Sequence, residues 1–297
     1  MAGFLTPTLD GLNLTVSAVM QQPSRITERI SALAGDQLVL DKLFHTLGAQ
    51  VTGGAMLYNQ VRIEDFFLDV NRTIEQRGPG DEYPVVKGVD PTPQLARPED
   101  WGGKFPIEDE RITRNDIEYL NDQTTQLANT IVERLNTRAL EVLDAAAGAG
   151  ANVVPGHNWQ TAVSFGPPEN LSEGAELPAA DLAGALLAGE RERMGAKYDT
   201  LIVNPQEMFS LRVCYGDRLR AVLDSLGLTA FSYPLQTAGT AWVVQRGQCG
   251  LIGFERPLQT ETWRMPERRT SYVQSYAVPA IAVTKPHMAK KLTGLAG

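Results

Sequence analysis

The run TRNDIEYLNDQTTQLANTIVERLNTRALEVLDAAAGAG, Thr113 to Gly150, constrains this chain more than any other stretch. Ile117, Leu120, Thr124, Leu127, Ile131, Leu135, Arg138/Ala139 and Val142 recur at helical spacing on an otherwise polar background. That spacing lays a thin apolar stripe along one helix face. Thr113 with Asp116 resembles a capping-box start, and Gly148 and Gly150 are helix stops. About 30 residues at ~1.5 Å each make a rod of roughly 45 Å. Such a rod is long for a globular domain, and its stripe is narrow enough to rest on a sheet. The rest of the chain has to supply that sheet.

The stretch leading into the rod, LARPEDWGGKFPIEDERITRN (Leu95 to Asn115), is irregular and charged. Residues 77–106 hold six Pro and five Gly, which rules out a helix of any length. Before them, QVRIEDFFLDVNRTIEQ (60–76) carries Val, Ile, Phe and Thr in partial alternation and predicts a strand. Together they form a long β-like excursion. A two-stranded hairpin is marginal in water, and a loop of this length is functional or disordered.

Elsewhere the elements are ordinary. Residues 1–35 read as an arm with at most a short amphipathic turn or two at ITERISALAG. From Asp36, DQLVLDKLFHTLGA predicts a short helix ending at Gly48. PAADLAGALLAGERERMGA predicts a helix with Leu182, Leu186, Leu187 and Met194 on one face. YDTLIVNP predicts a buried strand ended by Asn-Pro, and QEMFSLRVCYGDRLRAVLDSLG a helix broken at Gly216. From Thr229 onward the runs TAFSYP, TAWVVQRGQCGLIGF, LQTETWRM and TSYVQSYAVPAIAVT predict strands. KPHMAKKLTGLAG reads as a polar tail.

Composition excludes several function classes. A net charge of -8 and a pI near 5.0 argue against a surface that grips phosphates. Cys214 and Cys249 are too few for a disulfide framework or a four-thiolate zinc site, and reduced, buried thiols are expected. The N-terminus lacks a basic n-region and an apolar h-region, so it does not read as a secretory signal. No run reaches the ~20 apolar residues of a membrane helix. Arg outnumbers Lys by 20 to 7. A GC-rich coding genome accounts for that, and so does the use of bidentate ion pairs at protein interfaces.

Catalytic constellations are weak. His45, His157 and His287 are scattered without metal-ligand spacing. AAAGAGAN follows a helix, not a strand, and reads as a helix stop. No Gly-x-Ser-x-Gly elbow or phosphate-loop Lys occurs. The Asn204-Pro205 turn after TLIV is either plain packing or a ligand-binding switch point of an open α/β sheet. No cofactor is expected. One charge pattern stands out: residues 60–113 hold seven basic and twelve acidic residues, and residues 256–291 seven basic and two acidic. Chance surface variation accounts for it, or the acidic arm docks on the basic segment of another copy.

The order of parts, with GGKFPIEDERITRNDIEYLNDQTTQLANTIVERLNTRALEVLDAA at the rod and MGAKYDTLIVNPQEMFSLR beyond it, resembles a tailed-phage major capsid protein of the Hong Kong 97-type fold. The resemblance covers nearly the whole chain. It implies an α+β fold with an N-terminal arm (1–50), an extended β-hairpin loop and its base (51–112) and a peripheral domain (113–178) with a spine helix over 114–147. Most of an axial domain (179–254) and C-terminal strands returning to the peripheral domain with a tail (255–297) would follow. It also implies self-assembly as pentamers and hexamers into an icosahedral head, made in a bacterial host's cytoplasm. The head would enclose double-stranded DNA without sequence-specific contacts.

Separate scaffolding, portal and decoration proteins would be partners, and no membrane is involved. In that family the extended loop lies on a neighbouring subunit. The expected intersubunit contacts are therefore Arg97, Glu99, Asp100, Trp101, Lys104, Arg264, Arg268 and Arg269. No fused scaffolding segment is expected ahead of the arm. Lys87 and Lys104 are the loop lysines, but no motif assigns a partner Asn or catalytic Glu for a covalent cross-link. An encapsulin-type nanocompartment shares the fold. Another ring-forming head or tail protein, and an α/β enzyme with a ligand site near Asn204, are the other readings.

Overall fold

The computed structural model describes residues 15–35, 39–67, 76–83, 88 and 90–296. The arm contains α1 (Val16–Gln21) and α2 (Pro23–Gly35), and a one-turn α3 (Leu40–Leu43) runs straight into β1 (Phe44–Thr46). Next come β2 (Met56–Asn59), one-turn α4 (Ile63–Phe66), β3 (Pro93–Ala96), β4 (Trp101–Glu108), one-turn α5 (Asp109–Thr113) and the rod α6 (Ile117–Ala147). The second half holds β5 (Val153–Pro155), α7 (Pro178–Arg191), β6 (Thr200–Val203), α8 (Pro205–Tyr215), α9 (Leu219–Ser225) and β7 (Thr229–Ser232). It ends with β8 (Thr240–Val244), β9 (Gly250–Met265), β10 (Thr270–Ala282) and β11 (Ala289–Thr293).

Two sheets result, in orders β1-β9-β10-β4 and β5-β11-β8-β6-β7, and β2 with β3 forms a separate ribbon. The rod rests on both sheets. Its first half buries Leu120 and Ala128 against Phe105, Ile107 and Val273 of the four-stranded sheet and Ile26 and Ile30 of α2. Its second half buries Ile131, Leu135, Ala139, Leu143 and Ala147 among Trp242, Val244, Ile252 and Met288, where the sheets meet. The other face of the five-stranded sheet is covered by α7, α8 and α9 through Leu182, Leu211 and Leu223. Asp116, rather than Thr113, caps the rod by accepting the Tyr119 N–H at 3.2 Å, and the Gly148 N–H closes it on the Asp144 carbonyl. Gly216, at φ 52°, breaks α8 from the helical turns after it.

Several expectations are overturned. The arm's α2 runs for 13 residues, because α6 and β9 give its apolar face a surface to lie on. DQLVLDKLFHTLGA makes only one helical turn in its described part; Phe44–Thr46 instead pairs parallel with Gly250–Ile252, a tertiary partner outweighing helical spacing. The strand expected over 60–76 is absent among the described residues, where Ile63–Phe66 is helical; residues 68–75 lie outside the description. Leu187 is exposed, and Met194 lies beyond the end of α7.

Trp101–Glu108, expected within the extended loop, is an edge strand paired over its length with β10. Its glycines serve close approach: a Cβ on Gly102 would lie 2.5 Å from Tyr276 Cβ, and one on Gly103 2.7 Å from Leu127 Cδ1. The polar tail is a further correction, because its Ala289–Thr293 forms β11, which sits between β5 and β8 inside the five-stranded sheet. Its Lys290 is fully buried because Nζ donates to Glu192 Oε1 at 2.5 Å and Asn152 Oδ1 at 2.8 Å.

Candidate assembly surfaces

The contact residues expected from sequence fall into two groups. Glu99, Trp101, Lys104 and Arg264 are engaged within the chain. Arg138 of α6 grips the Glu99 carboxylate with Nε and Nη2, the shortest contact 2.7 Å, and Trp101 Nε1 donates to the same group at 3.2 Å. Hydrogen bonding to Glu99 is also what chiefly raises the Arg138 pKa. Lys104 Nζ lies 5.4 Å from the Tyr272 ring centroid, and that ring stacks on Trp263. Arg264 Nη2 meets Asp109 Oδ2 at 2.5 Å and holds that carboxyl below its ordinary range. Acidic and basic segments therefore do attract one another, but at this point within one subunit. Arg97, Asp100, Arg268 and Arg269 are exposed and have no ion pair among the described residues. Lys87 lies outside the description.

Apolar exposure marks surfaces that this reading did not single out. On the β2–β3 ribbon, Met56 and Ala96 face inward onto Val51, Ala280 and Ala282. Their neighbours Leu57 and Leu95 stand directly opposite one another on the outer face, 71% and 53% exposed. The alternation in MLYN was the available signal, hidden by the short length of the strand. On α8, Phe209 and Val213 point outward one turn apart. Beside α8, Phe165 and Leu171 are exposed on the loop between β5 and α7.

The base of that loop is held by one buried carboxylate. Asp181, in the first turn of α7, accepts from the His157 backbone N–H at 2.9 Å and from Trp159 Nε1 at 2.8 Å, and pairs with His157 Nδ1 at 2.7 Å. The hydrogen bond to Asp181 raises the His157 pKa. Asn204 caps α8: Oδ1 accepts the Gln206 N–H and Nδ2 donates to the Gln236 carbonyl at 2.7 Å. Its polar atoms are thus spent on holding the turn. Both cysteines are free and buried, and burial pushes the Cys249 thiol up to about 12. Among the described residues no group of three or more His, Cys, Asp or Glu is arranged to hold a metal, and no helix is long and apolar enough to cross a membrane.

A family model described as phage capsid protein matches residues 91–292. No curated protein matches in sequence. The fold is shared with a structure from Microbacterium phage Oxtober96 at TM-score 0.60 and 10% identity, covering 88% of this chain and 91% of that one. The capsid of cyanophage P-SCSP1u matches at TM-score 0.59 and 10% identity, over 88% and 89% of the two chains. A virus-like particle from Pyrococcus furiosus matches at TM-score 0.54 and 15% identity, over 89% and 98%. The family match spans everything from the outer ribbon strand to the last strand, so the chain belongs to the phage capsid protein family and is a shell-forming structural protein with the Hong Kong 97-type fold of tailed-phage major capsid proteins.

Proposed function

We propose that copies of this chain close as pentamers and hexamers into an icosahedral head around double-stranded phage DNA. Assembly would take place in the cytoplasm of a bacterial host, with separate scaffolding, portal and decoration proteins. The observation that carries this reading is the β2–β3 ribbon. It has only four residues per strand and shows water an opposed Leu57–Leu95 pair, so a short ribbon of marginal stability offers an apolar outer face for a neighbouring subunit to cover. Covering one such side chain on a neighbour contributes about 2 kcal/mol, and the contact repeats in every subunit of a shell. Arg97, Asp100, Arg268 and Arg269, free of an ion pair among the described residues, are candidates for contacts between subunits, beside Glu99, Trp101, Lys104 and Arg264, which also have partners within the chain. The net charge of -8 fits DNA held by confinement and counterions.

The test is Leu57→Ser combined with Leu95→Ser. Both side chains are exposed, so the melting of the isolated subunit should change little while closed particles disappear from electron micrographs. Particles in normal yield would refute the ribbon's role. A loop deletion serves the same end if confined to residues 77–90, because a cut through 100 also removes β3 and the Glu99 partner of Arg138. A nanocompartment shell is the second reading, favoured by the fold shared with the Pyrococcus furiosus virus-like particle. Purified particles that carry enzyme cargo and no DNA would establish it.

A further inference from the structure

Two exposed surfaces of the second half carry opposite net charge, and their apolar side chains stay exposed. The first is the outer face of α8. Phe209 and Val213 are 67% and 56% exposed, Arg212 lies between them, and Arg218 follows in the next turn beside the exposed Asp217, which leaves the face net positive. Arg212 and Arg218 have no ion pair among the described residues; the only pair on this stretch is the exposed Arg220–Asp224 at 3.7 Å.

The second surface is the loop 163–173. Two hydrogen bonds close it, Val163 N–H to Ser172 Oγ and Ser172 N–H to the Val163 carbonyl, both 3.0 Å. Phe165 and Leu171 are 58% and 43% exposed on it, with Glu169 and Glu173 beside them and unpaired among the described residues. No Lys or Arg occurs anywhere from residue 139 to residue 190, so this stretch of chain carries no cation of its own to offset them.

The two surfaces do not cover each other. The Ser164 hydroxyl donates to the Cys214 carbonyl and ties the loop to the end of α8, yet all four apolar side chains stay open. A partner for the helix face must offer apolar groups and carboxylates, and a partner for the loop must offer apolar groups and guanidinium groups. A second copy of this chain presents both. Pairing like surfaces would set Arg212 against Arg212 or Glu173 against Glu173, which costs energy. Pairing unlike surfaces is head to tail, and a head-to-tail contact with a rotation that closes makes a ring.

We infer that the loop 163–173 of one copy docks on the α8 face of the next, and that this contact runs around each pentamer and hexamer. The inference rests on the shell reading above. Three full-length proteins test it: Arg212→Glu, the pair Glu169→Arg with Glu173→Arg, and the combination of all three changes. Native mass spectrometry counts rings and electron microscopy counts particles, with circular dichroism melts verifying that each exposed substitution leaves the fold intact. Each half-swap should lower ring and particle yield at least tenfold, and the combination should restore most of it. Yields unchanged by the half-swaps, or lost and not restored by the combination, overturn the contact while leaving the shell reading standing if the unsubstituted protein forms particles. Absence of any ring or particle from the unsubstituted protein, both alone and co-expressed with the scaffolding protein of its own phage, overturns both.

Discussion

His287 makes the subunit sensitive to acid by an amount that can be worked out. It is 5% exposed, and neither ring nitrogen has a hydrogen-bond partner among the described residues. Phe66 meets it edge-on at 6.2 Å, and Lys290 and Lys285 are the cations nearby. Desolvation first, then those two lysines, lower its pKa from the ordinary 6.5 to about 4. The unfolded chain therefore takes up a proton as pH falls through about 6.5, and the folded chain does so only near 4. Stability is full above 6.5 and is lost progressively between the two values, in total about 3 kcal/mol at 1.36 kcal/mol per unit. His287→Leu removes both the titration and two unsatisfied polar atoms. The variant should be at least as stable as the parent at pH 7, and the gap should widen in its favour by about 2 kcal/mol at pH 5. Urea denaturation of unassembled subunits at the two pH values measures this. Equal pH slopes for the two proteins, or an NMR titration of His287 with a midpoint near 6.5, would refute the reasoning.

Four further variants follow from the packing. Lys290→Met removes the ammonium paired with Glu192, whose Oε2 has no partner among the described residues, and should cost about 3–5 kcal/mol in a denaturant midpoint. Lys291→Met, one residue on and paired with Asp144 at the surface, should cost under about 1 kcal/mol. Gly102→Val drives a side chain into Tyr276 and should cost about 1–3 kcal/mol, readable as a lowered melting temperature and faster amide exchange along β4. Asp181→Ala strips three donors at once and should cost about 2–4 kcal/mol. In the same variant the NMR midpoint of His157 should fall, because its elevation comes first from Asp181.

What was legible in the sequence depended on whether the cause was local. The rod could be read because its period persists over 31 residues, and β6 with its Asn204-Pro205 end and the break at Gly216 rest on backbone chemistry within a few residues. The rest depends on distant partners. Lys290 looks like tail charge until Glu192, 98 residues away, is brought to it. Gly102 and Gly103 look like loop residues until Tyr276 and Leu127 show why no side chain fits. The helix α2 needs α6 and β9 beneath it, and Phe44–Thr46 becomes a strand only through β9. Of the eight expected contact residues, Glu99, Trp101, Lys104 and Arg264 turned out to have partners at home, which spacing alone does not reveal. The apolar surfaces escaped notice because Leu57, Phe209 and Phe165 are ordinary residues until their exposure is seen.

Cryo-electron microscopy of the expressed full-length protein tests the central claim most directly. Closed icosahedral particles built of pentamers and hexamers are expected, with the β2–β3 ribbon of each subunit covered by a neighbour. A protein that stays monomeric even when co-expressed with its phage's scaffolding protein, or forms only small oligomers in which Leu57 and Leu95 remain open to solvent, would contradict this.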